Sequence, residues 1–378
     1  MSITMTIMAG SSVSSYQKTI DTPNTDRKNI QMNYQETLNR IKAADKTILD
    51  QCKVNWNNVA KPLYSLGELE VLTAKIGAAL GTAHPDISKR RAIVFCADNG
   101  VVEEGVSQTD HTVTTAVARA LIAGTSNINI FARIAGADTD IYDVGMVDDV
   151  PDMQTHKMIH GTANLSRMPA MTKEETIYAI EAGIAAAEKA KSDGCGILVV
   201  GEMGIGNTTS STAVLSVLLD RKVEDICGRG SGLSDEGLKK KITAIKRGIE
   251  VNQPDPEDAF DVLMKVGGAD IAAMCGVMLA GAALNVPVIL DGLISGAAAL
   301  IAYGIDPRTL DYMIPSHVSH EPGGSLVLDH LKLTPPIHAG MALGEGTGAV
   351  MLLPMLDMAL ALYEGDHSFD DIGIEAYK

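Results

Sequence analysis

Aromatic residues are scarce in this 378-residue chain: they make up 4%, with a single Trp, 4 Phe and 9 Tyr. A core cannot be built on stacked rings and must come from aliphatic and small side chains. The hydrophobic fraction of 46% and the 36 glycines supply these. Small residues also suit close approach of backbone to a ligand. Basic residues are short as well, 31 Lys and Arg against 47 Asp and Glu, for a net charge of −16. Nucleic acid and anionic membranes call for a positive surface, so neither is expected as a partner. An anionic metabolite stays open, because backbone N–H groups and one or two cations suffice to bind it. Cysteine is limited to Cys52, Cys96, Cys195, Cys227 and Cys275, with no CxxC pair. That odd, dispersed set fits reduced, buried thiols in a cytoplasmic protein and speaks against a zinc site. No basic segment followed by an apolar one opens the chain, so no signal peptide is expected. The longest apolar stretch, Ile271–Gly304, is interrupted by Asn285, Pro287 and Asp291. It reads as helix, buried strand and helix, not as a membrane span.

What is present alternates. "RAIVFCADNG" (Arg91–Gly100), "TDIYDVGM" (Thr139–Met146), "CGILVVGEMG" and "VPVILDG" are apolar runs that end in glycine. Helical patterns separate them: "HTVTTAVARALIAG", "EETIYAIEAGIAAAEKAKSDG" closed by Gly194, and "SSTAVLSVLLD". Alternation of this kind predicts an α/β fold with a mainly parallel sheet and helices on both faces. Ligands then bind beyond the carboxyl ends of the strands, where Gly100, Gly145, Gly201 and Gly292 cluster. Upstream, Tyr34–Cys52 shows helical spacing at Leu38, Ile41, Ala44 and Ile48, and a second helix is expected from about Leu66 to Leu80.

Five stretches carry chemistry. "GEMGIGNTTSSTA" (Gly201–Ala213) joins a strand to a helix; Gly204 lets backbone approach, and Asn207, Thr208, Thr209 and Ser210 offer donors at a helix N-terminus. It suits a phosphate or carboxylate, and Glu202 beside it suits sugar hydroxyls. "GRGSGLSDEGLKKKITAIKRG" leads into a basic helix, where Lys239, Lys240 and Lys241 read first as a solvated face. "IPSHVSHEPGG" (Ile314–Gly324) gathers Ser316, His317, Ser319, His320 and Glu321 in one loop; its histidines are metal ligands by type, or members of a hydrogen-bonded turn. "FCADNGVVEEGVSQTD" offers Asp98 as its functional acid, with Glu103 and Glu104 facing solvent. Finally "MALGEGTGAVMLLP" (Met341–Pro354) sets Glu345 between glycines in apolar company. Apolar burial raises a carboxyl pKa and makes a better proton acceptor near neutral pH; a carboxylate capping a helix N-terminus is the compatible alternative.

"KPLYSLG", "CADNGVVEEGVS", "GEMGIGNTT", "NQPDPEDAFDVLMKVGGADIAAMCGVML", "ILDGLISGAAAL", "IPSHVSHEPG" and "LGEGTGA" stand together in one order. In this the chain resembles the nicotinate-nucleotide:dimethylbenzimidazole phosphoribosyltransferases, which activate cobamide lower ligands, from about Lys61 to beyond Pro354. The resemblance implies a Rossmann-like sheet domain with a small helical domain. With residues 1–33, polar and rich in Ser, Thr, Asn and Met, read as a mobile arm, the expected division is that arm, a helical small-domain segment (34–85) and the phosphoribosyltransferase domain (86–378), whose C-terminal helix is a candidate to join the small domain. It implies nicotinate mononucleotide as donor, a base such as dimethylbenzimidazole as acceptor, release of nicotinate and an α-ribotide 5′-phosphate with inversion, and a dimer. Glu345 is the implied catalytic base. Glu202 is a ribose-side contact, Lys241 and Ser319 are phosphate-side contacts, and Gly204, Asn207 and Thr208 complete the nucleotide site. No metal or cofactor is implied, since a pyridinium leaving group needs neither a general acid nor Mg²⁺.

On the acceptor side the implied residues are Asp98, Thr109, Val117 and Leu343, and here the chain departs from its relatives. The usual "ADHG" is Ala97-Asp98-Asn99-Gly100, a pocket glutamine falls on Val117, a serine on Thr109, and the polar residue before "LGEG" is Ala342. A less polar acceptor pocket follows. A phenolic acceptor, phenol or cresol, handled by one subunit of a paralogous pair, is the alternative function; a non-catalytic nucleotide-binding partner subunit is another. A phosphoribosyl-pyrophosphate enzyme would want paired acids after an apolar strand, and Asp148-Asp149 is only an approximate candidate.

Overall fold

The computed structural model describes residues 32–365 and 368–375. The expected N-terminal arm lies outside the described residues except for its last two positions. The helices are α1 (Tyr34–Arg40), α2 (Lys46–Asn58), α3 (Glu68–Leu80), α4 (His111–Ile122), α5 (Asn127–Ile134), α6 (Lys173–Ser192), α7 (Asn207–Leu218), α8 (Val223–Ile226), α9 (Asp235–Asn252), α10 (Ala259–Val266), α11 (Ala269–Leu284), α12 (Leu293–Ile305), α13 (Pro322–Leu331) and α14 (Thr347–Tyr363). The strands are β1 (Arg90–Ala97), β2 (Asp138–Gly145), β3 (Gln154–Thr155), β4 (Ile197–Met203), β5 (Val288–Leu290), β6 (Met313–Pro315), β7 (His317–Ser319) and β8 (Ile337–Met341).

Six strands form one sheet in the order β3-β2-β1-β4-β5-β6, every neighbouring pair parallel; β7 and β8 make a separate parallel pair. A strand at the middle of such a sheet is covered on both faces and needs no polar side, which is why β1 is buried along its whole length. Its side chains still alternate. Ile93, Phe95 and Ala97 join Leu198 and Val200 in the layer beneath α6, α7, α11 and α12. Ala92, Val94 and Cys96 join Ile197, Val199, Ile289 and Ile314 beneath α3, α4, α5 and α14. Each of the larger side chains contributes about 1.5–3 kcal/mol on burial.

The aromatic shortage is met by backbone proximity. A Cβ on Gly183 of α6 would collide with the carbonyl of Ala273 on α11, and one on Gly276 with that of Ile180. The two helices therefore meet glycine to backbone, with Ala182, Ala186, Ala187, Ala272 and Ala280 filling the seam. The lone Trp56 stacks obliquely on Tyr363 of α14, ring centroids 5.0 Å apart, and its Nε1–H donates to Thr73 Oγ1 at 2.9 Å. This ties α2 and α3 to the C-terminal helix.

Two expectations require correction. Tyr34–Cys52 is not one helix. The chain turns extended at Ile41, and α2 restarts after Asp45, whose side chain accepts from the N–H groups of Thr47 and Ile48 at 2.8 and 3.3 Å. Capping chemistry overrides the apolar spacing there. Ile314–Gly324 is not one loop either: it contains the end of β6, all of β7 and the first turn of α13. The apolar stretch Ile271–Gly304 is helix, strand and helix as expected. Among the described residues no helix is long and apolar enough to cross a membrane.

Candidate active site

The chain leaves β1 toward β2 and later returns to β4 on the other side of β1. That reversal opens a crevice beyond the carboxyl ends of β1 and β4, the usual binding place in an open parallel sheet. A cavity of about 260 Å³ lies beyond β4 and β5, and it is lined by Glu202, Asn207, Asp291, His317, Ser319 and Glu345, among others. Another cavity, about 390 Å³, sits against α2 and α3 around Trp56, away from the strand ends.

Glu345 reaches the first cavity on a loop that only glycine makes possible. Gly344, Glu345 and Gly346 all have positive φ, 81°, 61° and 90°. A side chain on Gly201 of β4 would run into the carbonyl of Glu345, so the loop lies directly on the strand. A non-glycine residue in the left-handed region is strained and must be held by its surroundings. Asp291 does part of this: its carboxylate accepts from Gly346 N–H at 3.2 Å and Ala349 N–H at 3.1 Å, capping α14. The side chain of Glu345 is 7% exposed. Its neighbours are not simply apolar: Asn127 Nδ2 donates to Oε1 at 2.7 Å and Ile128 N–H to Oε2 at 3.1 Å. The capping alternative is therefore realised, at α5 and not at the helix that follows Glu345 in sequence.

Glu202, at the end of β4, touches the same cavity. Asn207 Nδ2 donates both to Glu202 Oε2 and to Asp270 Oδ2, the latter at 2.8 Å. Burial pushes the Glu202 carboxyl up to about 8; Asp270 adds to the rise and the Asn207 bond opposes it. Burial also lifts Asp270 to about 6 against the Asn207 bond, and Asp291 to about 6 against the N–H groups of α14. Three buried carboxyls thus converge at the strand ends, and fully ionising all of them at once is unfavourable. Gly204 is needed for space, since a Cβ there would stand 2.7 Å from both Ala97 O and Asp270 Oδ2.

Of the four donors expected at the start of α7, Asn207 and Thr208 line the cavity. Thr209 and Ser210 are fully buried, with the Ser210 hydroxyl bonded to Asn99 Oδ1 at 2.7 Å. The lysine run corrects another expectation. Lys239 and Lys240 are exposed, but Lys241 is fully buried. Its Nζ donates to Thr208 Oγ1 at 2.8 Å and Gly228 O at 3.1 Å, and burial lowers its pKa. Both partners are neutral, so an anion over Thr208 would supply the charge this ammonium lacks. Ser319 is 8% exposed, and its Oγ accepts from Glu321 N–H at 3.3 Å.

The acceptor-side residues are scattered. Leu343 stands 54% exposed on the cavity wall. Val117 is half-buried on α4, whose Thr114 accepts from Ile205 N–H at 3.2 Å beside the cavity, while Thr109 is exposed just before that helix. Asp98 does not line this cavity; its Oδ2 accepts from Val147 N–H at 2.8 Å, and burial raises its pKa. Glu103 is exposed, but Glu104 is half-buried, bonded by Asn164 and Arg167. Asp149 pairs with Lys157 at 2.7 Å and Asp148 accepts from Thr115 at 3.1 Å, so neither serves as a ribose-binding pair at a strand end. Among the described residues no group of three or more His, Cys, Asp or Glu is placed to hold a metal ion. Sequence reasoning missed Asn127, Asp270 and Asp291; an acid closing an apolar strand, as in "VILDG", was the available signal for the last.

Comparison with known proteins agrees with this fold. Residues 41–374 match the phosphoribosyltransferase family. A nicotinate-nucleotide–dimethylbenzimidazole phosphoribosyltransferase from Acetivibrio thermocellus is 42% identical over 345 residues, covering 91% of this chain and 98% of its own. The protein of the same name from Ruminiclostridium cellulolyticum is 41% identical over 349 residues, covering 92% and 99%. The crystal structure of CobT from Thermus thermophilus superposes with a TM-score of 0.83 at 35% identity, covering 88% of this chain and all of that one. A match across nearly the whole length of each relative, on a sheet with its cavity at the strand ends, is sufficient: the chain belongs to the phosphoribosyltransferase family.

Proposed function

We propose that this phosphoribosyltransferase moves the ribose 5-phosphate of nicotinate mononucleotide onto a cobamide lower-ligand base, dimethylbenzimidazole or a similar heterocycle, with Glu345 as the proton acceptor. The full-length relatives carry that donor and acceptor in their names. The observation that carries the reading is the Glu345 carboxylate, held by α5 and facing a cavity it shares with Glu202.

The step balances with the residues at hand. A ring nitrogen of the acceptor bonds to C1′ while the C1′–pyridinium bond breaks, its electron pair returning to the leaving nicotinate. The acceptor's N–H proton passes to Glu345. Attack opposite the leaving group inverts C1′ and yields the α-ribotide, by the logic of inverting glycosidases. Positive charge develops on the sugar in the transition state, and the acids at the strand ends favour it. Glu202 takes sugar hydroxyls. Lys241, Thr208 and the N-terminus of α7 take the phosphate, with Ser319 beside them. The acceptor lies along Leu343 toward Val117 and Thr109, and Asp98 fixes the backbone at Val147.

Incubation with nicotinate mononucleotide and dimethylbenzimidazole should release nicotinate and α-ribotide phosphate in equal amounts. No release with this acceptor, with other benzimidazoles, with purines or with phenols would overturn the reading.

A further inference from the structure

The cavity of about 390 Å³ against α2 and α3 has no part in the chemistry above. Much of its wall is apolar, formed by Ala44, Leu49, Trp56 and Ala78. Trp56 is a fixed piece of that wall. Its Nε1–H is given to Thr73, Tyr363 packs against its ring, and the Lys61 ammonium stands 5.2 Å from the ring centroid. Tyr64, which also lines the cavity, is 72% exposed and has φ 59°. A bulky residue is seldom held in the left-handed region, and strain of this kind gathers at ligand clamps and other working sites. The volume falls in the range of small-molecule sites, which are mainly apolar with a few placed polar groups.

The charged groups around the cavity decide what it takes. Its acids already have partners. Asp45 caps α2, Glu70 pairs with Lys61 at 2.7 Å and accepts from Leu66 N–H at 2.9 Å, and Asp311 accepts from Ala44 N–H at 3.0 Å. Its bases are less well served. Lys53 pairs with Asp50 at 3.3 Å, but exposed Lys46 has no ion pair among the described residues. Lys75 is half-buried, and among the described residues its Nζ has neither a hydrogen bond nor an ion pair. Burial lowers its pKa to about 8, and Asp311 opposes the fall only at longer range. An ammonium in apolar surroundings without a partner is costly, and a carboxylate brought from outside relieves that cost. Lys46 and Lys53 add positive charge that draws an anion in.

We propose that this cavity is a second binding site of the protein, for a small aromatic carboxylate, with the ring against Trp56 and the carboxylate on Lys75. An aromatic ring suits a wall that holds Trp56 and Tyr64, since aromatic pairs gain beyond the area they bury. A neutral ring or an aromatic amine leaves Lys75 without its counter-charge. The assignment does not depend on which nucleotide or acceptor the strand-end site takes.

Trp56 is the single tryptophan of the chain, so its emission reports directly on this cavity. The test titrates the full chain with benzoate, benzyl alcohol and benzylamine at neutral pH. Benzoate should change the emission with saturation and bind about tenfold more tightly than benzyl alcohol, or better, as one desolvated charge pair allows. Benzylamine should bind no better than the alcohol. In Lys75→Met, which keeps the apolar stem, benzoate should fall to the affinity of the alcohol, and the alcohol should change less than about threefold. No saturable response to benzoate would overturn the proposal, whether another part of the chain or a second copy closes the cavity. Equal wild-type affinity for benzoate and benzyl alcohol would overturn the carboxylate site without any variant having to fold. A preference for benzylamine would do the same and give the cavity to Asp311. An unchanged benzoate preference in Lys75→Met would overturn Lys75 as the anchor. A crystal structure with benzoate should show it between Trp56 and Lys75, and density in the strand-end cavity alone would overturn the second site.

Discussion

The carboxylate of Glu345 is held by Asn127, Nδ2 to Oε1 at 2.7 Å, across 218 positions of chain. Ile128 N–H, one residue further on, holds the other oxygen. The acid is thus anchored at the N-terminus of α5, where the helix dipole favours negative charge. An ionised carboxylate has about four lone-pair sites. Two are committed to α5, and the rest remain open. The same two contacts fix the direction of the side chain, which proton transfer requires before any tuning of basicity matters.

Glu345→Gln should therefore lower kcat by about 10²–10⁴-fold, the range for loss of a positioned proton acceptor, while nucleotide affinity stays within a few-fold of wild type. Asn127→Ala should be milder, on the order of tenfold, because Ile128 N–H still holds one oxygen. Steady-state nicotinate release combined with calorimetry separates the two effects. Wild-type turnover in Glu345→Gln would put the base elsewhere.

The raised acids have a consequence for stability. With Glu202 at about 8 in the folded protein and near 4.5 when unfolded, the native state holds a proton that the unfolded chain releases between these values. Stability then falls as pH rises through this window, and the contribution is fully present only below about 4.5. Melting temperatures of the ligand-free protein from pH 5 to 9 should decline more steeply in wild type than in Glu202→Gln. Asp270→Asn removes the neighbouring charge that helps to raise Glu202, so its decline should be smaller than in wild type and end at lower pH. Identical pH slopes in wild type and Glu202→Gln would show that Glu202 does not titrate in this range.

Lys241 should be worth more to binding than its neighbours in the lysine run. Lys241→Met fills the same buried channel without charge, and nucleotide affinity should fall by about 10²-fold or more, as when one partner of a desolvated ion pair is removed. Lys239→Met and Lys240→Met, on the exposed face, should change affinity less than about threefold. Equal effects from all three would mean that long-range charge, not a seated ammonium, binds the phosphate.

What the sequence discloses follows from how local the cause is. β1, β4 and β5 are legible because a doubly covered strand must be continuously apolar, and the helix–strand–helix of Ile271–Gly304 is legible because Asn285 and Pro287 break it. Lys241 and Lys240 are adjacent and chemically alike; only the packing of α9 separates a buried cation from a solvated one. The same holds for Asn127. "NINIFARI" opens with alternating polar and apolar residues, which suit a strand as well as a short helix, so the donor that holds Glu345 has no mark of its own. Asp270 sits within an apolar helix whose partner, Asn207, lies 63 positions away. Glu202, Gly204, Lys241, Ser319 and Glu345 are reached through joint motif likeness. Their mutual placement comes from the fold.

Gly201 offers a sharper test of the loop than the acid itself. Its position inside β4 suggests a strand residue that any small side chain could replace. The Glu345 carbonyl lies where the Cβ would go, however, and the Gly346 N–H is 2.7 Å from that point. Gly201→Ala must push the left-handed loop outward, and the carboxylate that α5 holds moves with it. A displacement of about 1 Å at a reacting group lowers the rate by about 10²-fold. The expected result is a fall of that size in kcat with nucleotide affinity little changed, since Lys241, Thr208 and Ser319 do not depend on this contact. A crystal structure of the variant should show the Glu345 loop lifted from β4. Full activity in Gly201→Ala would mean that the proton acceptor tolerates movement, and that the contact between strand and loop serves stability alone.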